Sequence, residues 1–524
     1  MMASRETMLR LHPNPFLTRR ARAAARRSPE KGAGTVFVHR FLRPGHPDVT
    51  ARPPLRPWPA LLAAALLISS QAGCGPVQKT PGLDDVATFR CTDCNVILIS
   101  IDTLRADHLG TYGYRRNTSP NIDRLARESV LFDRNINTGG GTLPVHVSMF
   151  TSLPPTVHGI WPDSGRALDS ARVTLADQMR AAGYHTRGYT GGGFVRAKYG
   201  LGQGFDYFYD SGGNFATELP LLNQWLDTYH GGKFFLFLHT YDVHSGFDKL
   251  PYDHGAAWNR LYTANYGGSF DGCKEGLCAS ALLSRINREV VAKRLRATDV
   301  FSAADIAYMM GLYDGGISYV DDALGRLFEG LKARGLWDKT VLVFTADHGE
   351  EFTEHRLFLH DQNYEEIARV PLIIHFPRGA FGGRRISEMV STLEIMPTIL
   401  DAVGIPSNPE VEGESLLPLI ASGAEGLAQV YMAGALEKLR TPGWSLLALE
   451  TGPAQLFDLR QDPGETTNLI YQRPQMARAL FAQYLAARRH ELRLARQLLL
   501  ARPDSMITLT PEEKAHLRSL GYAQ

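Results

Sequence analysis

The sequence predicts an α/β fold: a mostly parallel sheet covered by helices on both faces, followed by a smaller C-terminal α+β subdomain. Two observations predict it. Short apolar runs bounded by turn residues alternate with segments of helical periodicity through residues 95–424, the pattern of buried strands joined by crossover helices. From about residue 425 the apolar runs become closely paired, as antiparallel strands are. The 524 residues suffice for one large α/β domain with such an appendage.

The elements follow in order. Val96-Ile97-Leu98-Ile99 reads as a buried strand that ends at Ser100-Ile101-Asp102-Thr103. A carboxylate just past the C-terminal end of a central strand stands where open α/β sheets place ligand chemistry. Helical periodicity covers Pro120–Val130. Residues 139–159, GGGTLPVHVSMFTSLPPTVHG, run from three glycines through Thr142 into an apolar helix. Leu175–Ala182 is helical, stops at Gly183 and gives way to a strand near Tyr184–Tyr189. Phe234–Leu238 is another buried strand and runs into His239-Thr240-Tyr241-Asp242-Val243-His244. Residues 245–282 are rich in Gly and Tyr and read as a surface excursion that shapes the pocket together with the Gly190s loop. Ala303–Ala333 is a long helix. Val341–Thr345 is a strand ending at Ala346-Asp347-His348, and Val370–Phe376 is the next. Trp444–Ala448 and Ala454–Leu459 read as antiparallel strands, residues 460–468 as a turn, Gln475–Leu500 as a helix, and Thr510–Tyr522 as a short tail. There is no internal repeat.

Composition places the chain among ordinary globular proteins, with 44% hydrophobic and 21% charged residues, and a net charge of +2 singles out no nucleic-acid partner. The charge is unevenly spread: the first 56 residues hold eleven Arg against Glu6, Glu30 and Asp48. Residues 1–55 therefore read as disordered, or as a segment outside the mature protein. Residues 56–74 read as an export signal: Arg56, the apolar run Ala60–Ile68, then SSQAGC ending at Cys74. The run is short for a membrane span. Ala72-Gly73-Cys74 matches a bacterial lipoprotein cleavage site, which makes Cys74 the lipidated N-terminus and 75–94 a tether; an ordinary signal peptide is the rival. Four cysteines remain. Cys91 with Cys94 and Cys273 with Cys278 read as two local disulfides in an exported chain, and zinc is the alternative for the first pair.

Thr142 stands near a helix N-terminus, where unpaired backbone N–H groups and the positive dipole end favour an anion. A hydroxyl there either caps the helix or attacks an anionic ester. Asp102 and Asp347-His348 stand at the ends of two expected strands, and the convergence that follows holds if those strands are adjacent in the sheet. Two carboxylates, an imidazole and a hydroxyl then converge, a donor set suited to Ca²⁺, Mg²⁺, Mn²⁺ or Zn²⁺. His244 and His360 are the natural partners of substrate oxygens or the leaving group.

These pieces together resemble a sulfatase of the alkaline phosphatase superfamily from Asn95 to about Asn468. The matching stretches are NVILISIDTLRADHLGTYGY (95–114), TSPNIDRLARESVLFDRN (118–135), TLPVHVSMFTSLPPTVHG (142–159), FLHTYDVHSGF (237–247), GLWDKTVLVFTADHGEEFTEH (335–355), RVPLIIHFP (369–377) and LFDLRQDPGETTNL (456–469). The resemblance implies an alkaline-phosphatase/sulfatase-like catalytic domain over 95–424 and a C-terminal subdomain over 425–524. It implies metal-ligand positions at Asp102, Asp347 and His348, with Thr142 both nucleophile and ligand. It places His244 against the transferred group and His360 near a basic residue of similar task. Thr103 occupies the place of a second Asp.

The frame around the nucleophile departs from the family. Sulfatases carry Cys or Ser in a C/S-x-P-x-R pattern that matures to formylglycine. Here the frame is Thr142-Leu143-Pro144-Val145-His146, so His146 replaces the Arg and joins the candidate catalytic residues. Thr cannot follow that maturation, and a Thr phosphate ester opens more readily than a Thr sulfate. The expected function is a metal-dependent hydrolase of sulfate or phosphate esters, through Thr142. The alternatives are a phospho-headgroup transferase and a catalytically inactive binding protein. The expected partners are an anionic ester (a sulfated or phosphorylated glycan, lipid or small molecule) and a membrane reached by a lipid anchor, in the bacterial periplasm or at the outer membrane. Lys198, in the Gly190s loop, is the candidate anion contact there.

Overall fold

The computed structural model of the chain describes residues 89–246, 249–449, 453–499 and 505–519. The expectations for the basic segment, the export signal and Cys74 lie outside the described residues. Eight strands form one sheet. They are β1 (Asn95–Ile101), β2 (Val130–Ile136), β3 (Tyr184–Thr190), β4 (Tyr207–Tyr209), β5 (Lys233–Thr240), β6 (Thr340–Thr345), β7 (Arg369–His375) and β8 (Arg385–Ser391), in the order β8-β2-β7-β6-β1-β5-β3-β4. All neighbours are parallel except β7, which runs antiparallel to both β6 and β2.

The middles of the central strands, residues 96–99, 234–238 and 341–344, are apolar at successive positions because both faces are covered. Ile97, Ile99, Leu236, Leu238, Leu342 and Phe344 pack on one side with Leu312, Ile317 and Leu324 of the long helix Ala303–Ala333. Val96, Leu98, Phe235, Phe237 and Val343 point to the other side. There they meet Met149 of Thr142–Thr151 and Ile399 of Ile395–Ala402. Period-two alternation thus divides one continuous apolar run between two cores.

Register fixes the site. Ser100 on β1 lies opposite His239 on β5 and Thr345 on β6. The three central parallel strands therefore end level with one another. Asp102 and Asp347, each two residues beyond this row, come side by side at the C-terminal edge, where a parallel sheet presents its crevice.

Three expectations need adjustment. Residues 128–136 hold β2, not only the end of a helix, which stops at Arg127. Residues 89–94 are docked, unlike a free tether: the Cys91 N–H donates to the Ala402 carbonyl at 2.8 Å, and Phe89 packs edge-on against Phe376 and Phe381. The 245–282 excursion contains a helix, Ala256–Thr263, that lies on the long helix. A Cβ at Gly311 would sit 2.9 Å from the Tyr262 carbonyl oxygen, and one at Gly315 would sit 2.7 Å from that of Trp258. The two glycines, one helical turn apart, let the backbones approach. Cys91–Cys94 and Cys273–Cys278 are disulfides, so zinc at the first pair is ruled out in this state.

The small C-terminal sheet has four antiparallel strands: β9 (Val430–Met432), β10 (Leu436–Thr441), β11 (Trp444–Leu449) and β12 (Gln455–Asp458). The helix Pro474–Leu499 covers it. It is keyed to the larger sheet by buried charge. The Lys438 ammonium, 0% exposed, lies 3.0 Å from Glu365 and 3.0 Å from Glu465, and Arg440 lies 2.9 Å from Glu365. Burial opposes ionisation of Glu365, but Lys438 and Arg440 overcome it and hold that carboxyl at about 2. Removing the ammonium strands Glu465 in the interior. Lys438→Ala is therefore expected to cost about 3–5 kcal/mol, read as a fall in the urea midpoint.

Candidate active site

Residues 139–141 turn the chain into the helix that carries Thr142. All three glycines have positive φ, and Gly141 at φ 84°, ψ −167° is the N-cap. That conformation is open essentially to glycine alone. Thr142 is thus the first helical residue and not the cap, and its hydroxyl lies 3.1 Å from Nε2 of His348. It is buried in the first turn of this helix, at the positive end of the helix dipole.

Asp102, Asp347 and His348 offer ligand atoms that all lie within 4.8 Å of one another, and all three are buried. Asp347 Oδ1 accepts N–H bonds from Thr103 at 3.2 Å and His348 at 2.8 Å. Neither oxygen of Asp102, nor Oδ2 of Asp347, has a well-aligned donor among the described residues. Burial and the neighbouring Asp347 push the Asp102 carboxyl well up. Burial also opposes charge on Asp347, but His348, His146 and His239 outweigh it and pull that carboxyl below its usual range. Two buried carboxylates side by side, with three of their four oxygens lacking a well-aligned donor among the described residues, favour a cation or a shared proton.

The imidazoles are oriented by carbonyls. His348 donates from Nδ1 to the Gly349 carbonyl at 3.0 Å. Burial lowers it to about 4, so Nε2 carries a lone pair toward the cluster. A neutral His whose outer N–H is held by a carbonyl is the usual form of a metal-ligating imidazole. These residues fit a divalent cation, with the Thr142 hydroxyl in reach.

Thr103, at the place of a second Asp, has φ 57°, a strained value for a β-branched residue. Tyr313 holds it: the phenol donates to the Thr103 carbonyl at 2.7 Å and accepts the Arg105 N–H at 2.9 Å.

His146 lies beneath Thr142. It donates from Nδ1 to the Thr142 carbonyl at 2.8 Å and its Nε2 accepts from Ser100 Oγ at 3.0 Å, with no exposed surface. Burial lowers its pKa. This geometry positions Thr142 and does not present His146 to a ligand. His244 donates from Nδ1 to the Ser245 carbonyl at 2.9 Å, and burial followed by His360 pushes it well down. His360 takes the opposite course. Burial would lower it, but Glu350, 3.3 Å from Nδ1, overcomes burial and raises it. The His360 ring lies 4.5 Å from that of His348 and 5.0 Å from that of His244. One imidazole pushed down and one pushed up therefore lie together beside His348. Lys198 is placed elsewhere, paired with Glu513 of the helix Pro511–Ser519.

Sequence reasoning did not single out Ser100, Glu350, Tyr313 or His239. His239 is fully buried with Nε2 3.5 Å from Asp102 Oδ2. Its place at the end of an apolar run is the same signal that marks Asp102.

The loop bearing His360 is pinned by His355. Its Nδ1 lies 2.6 Å from Glu366, and its Nε2 donates to the Glu465 carbonyl at 3.1 Å. Burial lowers His355, but Glu366 outweighs it and the net shift is upward. The ion pair therefore stabilises fully below about pH 6.5 and fades as pH rises through the raised value. His355→Gln is expected to flatten the fall in urea midpoint between pH 6 and pH 9 that the native protein shows.

The sulfatase family profile matches residues 94–405, more than half of the chain. The chain belongs to the sulfatase family. Its metal dependence is a property of that family, and the fold is the alkaline-phosphatase-like one. Among curated sulfatases, arylsulfatase K of Bos taurus and of Homo sapiens are each 32% identical over 207 residues, 35% of this chain. The chain spans about 37% of the length of these relatives. Among solved structures, BT4656 in complex with its substrate D-glucosamine-2-N,6-O-disulfate aligns with a TM-score of 0.59 at 19% identity, covering 76% of this chain and 98% of that one. The phosphonate monoester hydrolase of Agrobacterium radiobacter aligns with a TM-score of 0.59 at 21% identity, covering 80% and 98%. No helix among the described residues is long and apolar enough to cross a membrane.

Proposed function

We propose that this sulfatase-family chain is a metal-dependent hydrolase of sulfate or phosphate esters that works through Thr142. One observation carries the reading: a hydroxyl at a helix N-terminus, 3.1 Å from a neutral imidazole, in a cluster with two buried carboxylates of which three oxygens lack an aligned donor among the described residues. Asp102, Asp347 and His348 would hold the cation, with Thr142 beside them. The cation would lower the pKa of the Thr142 hydroxyl and offset charge on the ester oxygens. Thr142 gives its hydroxyl proton to solvent before the reaction, its Oγ attacks the sulfur or phosphorus, and the bond to the alcohol breaks; the proton that His244 later takes from water replaces the one His360 gives up. His360, whose protonated form Glu350 favours, gives its proton to the departing oxygen. His244, neutral with Nδ1–H held by a carbonyl, takes a proton from water at Nε2. That water opens the Thr142 ester and frees Oγ. His146 fixes the Thr142 backbone throughout.

Thr in place of a formylglycine precursor favours phosphorus over sulfur within this reading, because no aldehyde is available to expel sulfate. The names of the neighbours are compatible with either centre, since one is a phosphonate monoester hydrolase and another was solved with a disulfated glucosamine. A lipid-anchored place in the cell envelope, through Cys74, belongs to the same proposal, and the two disulfides support export.

A panel of aryl sulfate, aryl phosphate, diaryl phosphate and aryl phosphonate, each with Ca²⁺, Mg²⁺, Mn²⁺ and Zn²⁺, tests the reading. Turnover of a phospho ester that depends on the metal supports it. Transfer of the phospho group from the aryl ester to an added alcohol instead of water would favour the transferase. No turnover on any ester contradicts both.

A further inference from the structure

The helix Pro474–Leu499 carries a strip of positive charge that the fold leaves open. Arg478, Arg489, Arg493 and Arg496 are all exposed. At the pitch of an α-helix they fall within an arc of about 60°, spread over about 27 Å of its length. The opposite side of the helix is docked: Leu480 and Tyr484 pack on Leu439, Leu446 and Leu456 of the small sheet. The ion pairs of this helix lie on its flanks, Arg488 with Glu437 at 3.1 Å and His490 with Glu412 at 3.0 Å. None of the four exposed arginines makes an ion pair among the described residues. The one acidic residue of the helix, Glu491, is buried.

Apolar surface is interleaved with this charge. Phe481 is 42% exposed at the border of the strip, and Ala482 and Ala486 are exposed beside it. Arginines set among apolar groups on one helix face suit a lipid interface, where the guanidinium meets phosphate while stem and ring meet the acyl boundary. An anionic glycan would use the charges and leave Phe481 in water. The described chain also begins near this helix. Arg90 pairs with Asp401 at 3.6 Å and lines one cavity with Gly413 and Glu414. Glu412, in the same loop, pairs with His490. Arg172 bridges Glu410 and the Leu498 carbonyl, at 3.3 and 3.1 Å. One loop, residues 410–415, therefore touches both Arg90 and the helix. The fourteen residues 75–88 between Cys74 and Phe89 reach about 50 Å when extended, longer than the strip itself.

We propose that the exposed face of this helix seats on a bilayer surface that carries anionic headgroups, an inference that rests on the lipid-anchor reading for the choice of a membrane as partner. The four guanidinium groups then lie along the lipid phosphates, with Phe481 at the edge of the contact. The small sheet, on the docked side of the helix, faces away from the bilayer.

The test uses the full chain with Cys74→Ser, which removes the lipid site and leaves no free thiol, since the other four cysteines are in disulfides. Ala482→Cys in this chain carries an environment-sensitive dye. Vesicles are of phosphatidylcholine alone or with about 30% phosphatidylglycerol. The dye at 482 is expected to brighten on the anionic vesicles only, and to revert in about 0.5 M salt. A dye at Val291→Cys, 68% exposed at the end of another helix, should not respond. Arg478→Gln, Arg489→Gln, Arg493→Gln and Arg496→Gln together should raise the anionic lipid needed for half the response at 482 by at least about tenfold. The melting temperature should stay unchanged, because all four side chains are exposed. No response at 482, an equal response at 291 or on uncharged vesicles, or an undiminished response in the fourfold variant overturns the proposal. So does attachment through the arginine-rich residues 1–56 that leaves the 482 dye dark, or binding of heparin fragments without binding of vesicles. Lipidation is read apart, from the mass of the Cys74 peptide of the native chain. A response at 482 with Cys74 unmodified leaves the surface standing and defeats the anchor. An acylated Cys74 with no response at 482 does the reverse.

Discussion

Thr142→Ala is expected to lower kcat by about a thousandfold or more, because it removes the atom that forms the covalent ester. Metal affinity should fall far less, since Asp102, Asp347 and His348 remain. Thr142→Ser keeps the oxygen and should retain a substantial share of activity. Steady-state rates and metal titrations on the three proteins separate these contributions. The Ala variant would also remove the hydroxyl that lies 3.1 Å from His348 Nε2, a contact worth about 1 kcal/mol. The loss of rate must therefore greatly exceed any loss of stability. A variant that lost rate only in proportion to stability would place the chemistry elsewhere.

The second large effect concerns Asp102. Its carboxylate is buried, lacks aligned donors and faces Asp347. In the metal-free protein this arrangement stores repulsion, which a bound cation relieves. Asp102→Asn is therefore expected to move two quantities in opposite directions. The metal-free protein should melt about 1–3 °C higher. The rise in melting temperature that the native protein shows on adding the metal, which follows mass action, should largely vanish, and activity with it. Thermal scans with and without chelator check both signs. An unchanged metal response in this variant would remove Asp102 from the ligand set.

The sheet was legible because its central strands are buried on both faces, so each appears as a short apolar run. The edges were less so. Val130–Ile136 continues into Asp133, Arg134 and Asn135, and Arg385–Ser391 is largely polar, since these strands meet solvent on part of their surface. The carboxylates and His348 were legible from their place at strand ends. Their partners were not, because partnership depends on register. Nothing local to Ser100 says that it lies beneath His146, and nothing near Thr103 says that Tyr313, 210 residues away, holds its carbonyl. Lys198 illustrates the converse. Its loop borders the expected pocket, yet Glu513 in the last helix takes it. Taken alone, Thr142 reads first as a helix cap, whereas the backbone places Gly141 in that position and turns the hydroxyl toward His348.

The most direct test of the account is a search for the covalent intermediate. The metal-loaded protein is mixed with a reactive aryl ester that it turns over, quenched in acid within one turnover, digested and examined by mass spectrometry. The account predicts a sulfo or phospho group on the peptide that carries Thr142, localised to its hydroxyl and absent from Thr142→Ala. Rapid turnover with that peptide unmodified, or with the group on another side chain, would contradict it.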